Sequence, residues 1–384
     1  MSANIRYHRV DPENNNAING FTEFTSADFV LTGDGRKMVK NSLRMEFELE
    51  CKSSANTVKA VTDKFACDNM IGYHGLVESV SVSGEGQLGM VEQLNNYPRY
   101  VKMVTSSSMD PLDLLSSDMA AEGRGARKEN GEYVLEPIVT SNTNASNSYT
   151  FFEKANGCLK LRCCLNRMSG ADYSFDKYGA LRVSINFSRA NHFFQGVDAE
   201  AANGATCSYK IENLALTYRS VPEDNDDMKI LMNSYVSVKS TVQSASSNIQ
   251  SRVPSDAVMG VSLSFLEQTK ESDARANGQA LERMPGLERL KILFADQQSN
   301  FISYDITEES DAIDRGIKSL AYSGHTQANS QKLHANDSYV IGTPFNSLVS
   351  LRNQKVSVMM DSSSTSLSSK PRIAFLFFHT LISL

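Results

Sequence analysis

The chain has 384 residues, 41% of them apolar and 21% charged, enough for two or three domains with cores of their own. Its 22 glycines and 9 prolines exclude a collagen-like or disordered chain, and abundant serine and asparagine without any tryptophan suit a loop-rich β protein. The net charge of −6 argues against a protein that coats naked nucleic acid, because neutralised phosphates drive such binding.

Residues 1–22 are polar and read as an extended N-terminal arm. From Asn41 to Cys51 the sequence alternates: Leu43, Met45, Phe47, Leu49 and Cys51 share one face, and Arg44, Glu46, Glu48 and Glu50 the other. That is a half-buried strand. Leu76–Ser83 is a second. Between Gln87 and Thr105 the spacing of Met90, Leu94, Tyr97, Val101 and Val104 is helical, and Pro98 inside this run is expected to end or kink it. A long polar loop follows, from Ser106 to Arg127. Strands resume at Tyr133–Val139, Cys158–Leu165, Ala180–Phe187 and Ser208–Arg219, with Asn-Gly pairs at Asn130, Asn156 and Asn203 expected to form hairpin turns.

An acidic break, Pro222–Asp227, separates the halves. The second half shows Tyr235–Val242, Ala257–Leu266 and Leu287–Phe294, then a short helix over Ala312–Tyr322. Tyr339–Ile341, Lys355–Met360 and a closing run, Arg372–Leu384, follow. That last run is apolar for about a dozen residues, too short to span a membrane and suited to a strand buried on both faces. Each half is thus a set of short strands finished by a long buried one. The residues predict an all-β chain of two tandem sandwiches with few helices. The divisions are an arm at 1–22, a first domain at 23–221, a linker at 222–233 and a second domain at 234–384.

No motif carries catalysis. Gly84-Glu-Gly86-Gln-Leu-Gly89 is a literal GxGxxG, with Asp110 further on. Its preceding strand alternates where a central parallel strand would be apolar throughout, so a glycine-rich strand-to-helix turn is expected. The histidines, His8, His74, His192, His325, His334 and His379, have no metal-ligand spacing, and His379 reads as a packed or hydrogen-bonded residue. Asp224, Asp226 and Asp227 lack the glycine and distal glutamate of a calcium loop and read as solvated linker. Glu308, Glu309, Asp311 and Asp314 fit the start of a helix, where the macrodipole favours acids. Arg124, Arg127 and Lys128 form one short basic cluster, read as loop. Six cysteines, Cys51, Cys67, Cys158, Cys163, Cys164 and Cys207, include no CxxC. With no signal peptide read, they are expected to be reduced and buried in an intracellular protein, which leaves the sequons at Asn144, Asn186 and Asn336 unused. No catalytic, metal or cofactor residue is assigned, and no enzymatic activity is expected.

The order of parts does resemble a known family. Val91-Glu-Gln-Leu-Asn-Asn-Tyr-Pro-Arg-Tyr100 is similar to the x-I-E-x-I-x-N-Y-x-R-Y stretch of the double jelly-roll major capsid proteins typified by phage PRD1 and adenovirus. Tyr209, Ile211, Asn213 and Leu216 match the Y-x-I-x-N-x-x-L strand that closes the first roll there. More loosely, Tyr235–Pro254 resembles the strand opening the second roll, and Ser338–Met360 with Arg372–Leu384 its last strands. The resemblance implies two tandem eight-stranded jelly rolls with a few short helices in loops. It implies a homotrimer forming a pseudo-hexagonal capsomer of an icosahedral virion, assembled inside the host cell. Its partners would be neighbouring capsomers and minor capsid proteins, with no direct sequence-specific nucleic acid. Subunit contacts would fall on Ser106–Lys128 and Leu320–Ser338. An internal viral membrane would face the arm and the helix at Val91–Val104, and Ala120–Lys128 and Asn142–Ser148 would be exterior loops with only small towers. Two other classes share the β architecture: a glycan-binding or glycan-cleaving pair of sandwiches, and a viral spike or penton protein.

Overall fold

The computed structural model describes residues 4–14, 21, 25–52, 65–68, 70–85, 89–108, 121–129, 132–137, 154–196, 208–224, 228–273, 276–294, 301–306, 309–321, 339–352 and 354–384. The first half contributes β1 (Arg6–Val10), β2 (Ser26–Leu31), β3 (Arg36–Met38), β4 (Arg44–Lys52), β5 (Phe65–Cys67), β6 (Val77–Gly84), β7 (Met90–Leu94), β8 (Arg124–Glu129), β9 (Glu132–Pro137), β10 (Lys154–Leu159), β11 (Met168–Gly170), β12 (Tyr173–Ser174), β13 (Leu181–Phe187), β14 (Phe194–Gly196) and β15 (Ser208–Pro222). The second contributes β16 (Ile230–Val242), β17 (Ser246–Arg252), β18 (Val258–Glu267), β19 (Leu287–Phe294), β20 (Phe301–Asp305), β21 (Ile341–Val349), β22 (Lys355–Ser362) and β23 (Arg372–Ser383). Two longer helices are α1 (Tyr97–Ser108) and α2 (Glu309–Ala321).

In the second half the eight strands pair as β16-β23-β18-β21 and β17-β22-β19-β20. In order along the chain, that is 1-8-3-6 facing 2-7-4-5, the pairing of a jelly roll. The first half repeats it with eight of its strands: β1-β15-β4-β10 and β2-β13-β6-β7. All these pairs are antiparallel. In both rolls a helix follows the fifth strand, α1 after β7 and α2 after β20. The remaining first-half strands add edges and hairpins, β8 with β9 and β5 with β14 among them.

Strand patterning explains the layers. Along β13 residues alternate between buried and partly exposed, as a sheet with one wet face requires. β18 and β23 break this rule: Val258–Leu266 and Ile373–Thr380 are buried without alternation, because α1 and α2 cover the face turned away from the roll's own core. The apolar interior is consequently one cluster running through both rolls.

The arm is partly sheet. Arg6–Val10 pairs with Leu216–Ser220 of β15 and supplies the first strand of the first roll. Near the acidic break, β15 runs on through Pro222, and Lys37, whose side chain is 4% exposed, pairs with both Asp224 and Glu223. Asp224 therefore has a buried cationic partner rather than water alone.

Several local expectations are corrected. Met90–Leu94 is a strand, and the helix begins only at Tyr97. Pro98 neither ends nor kinks it, since it sits in the first turn, where its missing N–H would have had no helical partner. Gly84 and Gly89 flank the turn of a β6–β7 hairpin, not a strand-to-helix turn. Asn156-Gly157 is not a turn but lies inside β10, opposite Glu48 and Phe47. A Cβ on Gly157 would stand 2.3 Å from Phe47 Cζ, so the glycine makes room for that ring. Cys158–Leu165 is strand only through Leu159, and a short 3-10 turn follows at Cys164–Asn166. The pairs at Asn130 and Asn203, with Asn142–Ser148 and residues 322–338, lie outside the described residues.

Candidate functional site: the seam between the rolls

The chemistry-bearing side chains of this chain gather where the rolls meet. α1 lies there with Tyr97, Tyr100, Val101, Lys102 and Met103 fully buried. The helix is thus internal, which corrects the expectation that it faces a membrane. Asn96, at a φ of 54°, turns the chain from β7 into the helix, a left-handed conformation asparagine tolerates. Ser237 Oγ donates to the Asn95 carbonyl (2.9 Å) and accepts from Asn96 Nδ2 (3.2 Å). Tyr100 stacks on Tyr235 of β16, ring centroids 3.9 Å apart, and leans on Phe377 of β23.

Three charged groups pin this apolar contact. Arg99 lies 3.8 Å over the Phe375 ring and donates to the Gly278 and Ala280 carbonyls, each at 2.6 Å. Burial lowers its pKa to about 10, so it remains a cation at neutral pH. Lys102 Nζ sits 2.6 Å from Asp68 Oδ2, which also accepts from Asn277 Nδ2 at 2.7 Å. Glu92 of β7 accepts from Cys164 N (2.6 Å), Ser234 Oγ (2.5 Å) and Arg167 Nη2 (2.9 Å). Arg167 Nη1 continues to the Tyr100 hydroxyl at 2.8 Å. Burial pushes the Glu92 carboxyl upward, against the pull of Arg167 and the two hydrogen bonds. β11 adds backbone pairing to β16, Met168 opposite Met232. Both ion pairs lie within the first roll; what crosses to the second is Arg99 on the Gly278 and Ala280 carbonyls, Asn277 on Asp68 and Ser234 on Glu92, and these buried hydrogen bonds to charged groups penalise any other placement of the rolls.

α2 covers the other half of the same sheet face. It lies on β21 and β18, where Gly316 and Gly342 permit close approach: a Cβ on Gly316 would meet the Val340 carbonyl at 2.8 Å, and one on Gly342 would meet Ser319 Oγ at 2.9 Å. His379 Nε2 is 2.7 Å from Ser262 Oγ, which is 2.6 Å from Ser319 Oγ. This serine–histidine contact has no entrance, for His379 and Ser262 are fully buried, and burial lowers the histidine's pKa to about 3. It is a packed, hydrogen-bonded neutral histidine, and no nucleophile is presented. His74 is likewise internal, between the Tyr97 hydroxyl (2.9 Å) and Glu122 (3.2 Å). His8 stacks on Tyr218, and His192 meets Glu78 at the surface. Cys163 and Cys164 are free buried thiols; burial pushes Cys163 up to about 12. Among the described residues no three His, Cys, Asp or Glu side chains converge on a metal position.

The resemblance motif is now physically legible. Glu92, Leu94, Tyr97, Arg99 and Tyr100 are all buried, the last two against the second roll. In the closing-strand motif, Asn213 has a φ of 50° at a bulge where Asn213 and Leu214 oppose Phe47 alone. Sequence reading missed Lys102, Asp68 and Arg167, since charged residues read as surface. The second roll's outer face is covered by α1 and α2, whereas among the described residues none covers the equivalent face of the first. It holds a groove of about 470 Å³ lined by Tyr7, Arg9, Arg44, Glu46, Thr217 and Arg219, with His8, Asn41, Ser42 and Tyr218.

No protein-family model matches the chain, and no curated protein matches it in sequence. Solved structures do match. The Faustovirus major capsid protein superposes with a TM-score of 0.63 at 9% identity, over 99% of this chain and 90% of that one. A chain of the PBCV-1 virus capsid gives 0.53 at 9% identity, over 100% and 95%. The mavirus major capsid protein gives 0.50 at 9% identity, over 98% and 90%. At such identity the likeness is one of fold, and it runs from end to end: the chain has the double jelly-roll fold of these viral capsid proteins.

Proposed function

We propose that this chain is a structural major capsid protein, acting as a trimer that forms a pseudo-hexagonal capsomer of an icosahedral virion shell. The observation that carries the reading is the seam: two rolls of one topology, joined into a single body by stacked aromatics and by buried hydrogen bonds that cross from one roll to the other. A tile needs fixed wall angles, and three chains of two rolls give six similar walls. Closing such a ring takes one heterologous contact repeated three times. The likeness in fold to capsid proteins over nearly the whole chain supports the same role. Work of this kind is mechanical and needs no catalytic group or cofactor. Neighbouring capsomers and minor capsid proteins would be its partners, with an internal membrane a further one.

Light scattering on the purified protein tests this. The expected mass is near three times 42.3 kDa and holds on dilution, with sheets or shells in micrographs at high concentration. A monomer at every concentration refutes the proposal.

A further inference from the structure

We infer that β1 is a latched strand, one that leaves the sheet of the first roll when acid protonates His8. The latch is built within one chain and does not depend on the capsomer reading.

Little else holds β1. It lies at the edge of its sheet and, among the described residues, pairs with β15 alone, Arg6–Val10 opposite Leu216–Ser220. Of its five side chains only His8 and Val10 are partly buried, and Tyr7 is 80% exposed. The chain is pinned again just beyond the strand. Pro12 is buried, the Glu13 amide donates to the Asp28 carbonyl at 2.7 Å, and Asn14 Nδ2 donates to the Ser26 carbonyl at 2.7 Å. β1 can therefore come away while β2 stays in place.

The latch itself is a cluster around buried Ser220. His8 lies flat on Tyr218, ring centroids 4.7 Å apart and 6° from parallel, and its Nε2 is 2.7 Å from Ser220 Oγ. Arg36 of β3 donates through Nε to the same Oγ at 2.8 Å. Through Nη2 it reaches the carbonyls of Ser220, at 3.1 Å, and of Asn4, just before the strand. One hydroxyl thus joins an imidazole to a guanidinium. With Arg36 donating to it, Ser220 can give its own hydrogen to Nε2 of a neutral His8. A proton on Nε2 turns that acceptor into a donor and sets a second cation beside Arg36.

The surrounding charges favour the neutral ring. Burial, then Arg36 and Arg6, hold His8 below the ordinary histidine range, and Asp34 pulls the other way with less effect. Lys37, the other base of β3, is occupied by Glu223 and Asp224. Arg9 is paired with Asp11 and Glu46, and Arg44 and Arg219 complete the groove that His8 shares. In a detached arm His8 titrates at its ordinary value, about 6.5. Docking is therefore at full strength above that pH, weakens as pH falls through it, and stops weakening at the depressed value of the docked strand. Tyr7 and Arg9 ride on β1, so acid also removes part of the groove wall and bares the β15 edge, an edge open to another strand.

Amide hydrogen exchange of the full chain from pH 7 to 5, corrected for its intrinsic pH dependence, tests this. Peptides spanning β1 should lose protection as pH falls, while those from β23 keep theirs. His8→Gln retains a hydrogen-bonding side chain that cannot charge, so its β1 should respond no more than β23 does. Arg6→Gln removes an exposed like charge and should shrink the loss. A wild-type β1 unprotected at pH 7, or as protected at pH 5 as at pH 7, overturns the latch. So does a His8→Gln chain that loses β1 on acidification as wild type does. Should His8→Gln free the strand at neutral pH as well, Arg6→Gln decides, and an unchanged acid loss there overturns the latch.

Discussion

Replacing Tyr100 by alanine should uncouple the two rolls. The ring is fully buried, stacked on Tyr235 and tilted against Phe377, and its hydroxyl takes a hydrogen bond from Arg167. Removing a large buried aromatic costs about 3–5 kcal/mol in lost transfer and cavity formation. Tyr100→Phe keeps the packing and removes one acceptor from buried Arg167, which costs about 1–3 kcal/mol. Urea unfolding gives the totals, and hydrogen exchange on peptides from each roll tells where they are lost. For wild type, β4 and β23 should lose protection together. For Tyr100→Ala they should separate, since the seam and not either core is damaged. The Tyr100/Tyr235 pair should show about 0.5–1.5 kcal/mol of coupling in a double-mutant cycle. A loss for Tyr100→Ala below about 1 kcal/mol, within reach of surface substitutions, would refute the claim that this contact holds the rolls as one body.

Two further perturbations test the packing and the buried charge. Gly157→Ala should destabilise by about 1–3 kcal/mol through overpacking against Phe47, and Phe47→Leu should recover part of it; unfolding midpoints of the three variants decide. Asp68 feels burial, which raises its pKa, but Lys102 and hydrogen bonds from Lys102, Asn277 and the Met70 amide outweigh this and hold it below the usual carboxylate range. Its folded value is then below its unfolded one, so its contribution is present at neutral pH and is lost as pH falls through the depressed value. Asp68→Asn should remove that part of the acid sensitivity and, by taking the Asp68 charge away from buried Lys102, cost about 3–5 kcal/mol at pH 7. Urea midpoints between pH 7 and 3 check both, and parallel curves for wild type and variant would contradict the assignment.

Strands whose two faces differ were plain in the sequence. Met45, Phe47 and Leu49 against Glu46, Glu48 and Glu50 announce β4, and the unbroken apolar run of β23 announces a strand covered on both sides. β17 was not legible, because in Ser246–Arg252 only Ile249 is apolar, so the alternation of exposed and more buried positions leaves no hydrophobic pattern in the sequence. β7 was read as helix because Met90 and Leu94 continue the spacing of α1 across a turn made by Asn96, and periodicity does not see a positive φ. The seam was hidden for a different reason. Its ion pairs join residues far apart in sequence, Glu92 with Arg167 and Asp68 with Lys102, and each alone reads as a solvated charge. The signal that could have exposed them was in the motif: a glutamate and an arginine placed among buried tyrosines at fixed spacing.

Topology repeats between the rolls, but surface character does not, and this asymmetry bears on assembly. Six separate rolls would have to find one another six times, each time losing translational freedom. Fusing them in pairs makes every second contact intramolecular, at an effective concentration no dilution lowers. That contact can therefore be large, apolar and permanent, as Tyr100, Tyr235, Phe375 and Phe377 make it. The remaining contact must form between free chains without trapping wrong partners. An apolar face exposed on the unassembled chain would invite aggregation. On the outer face of the first roll stand Arg9, Arg44, Arg219 and Glu46 with exposed Tyr7, a polar surface of the kind that resists aggregation before assembly. The proposed ring would thus have two kinds of wall, one fixed by folding within a chain and one formed by assembly between chains.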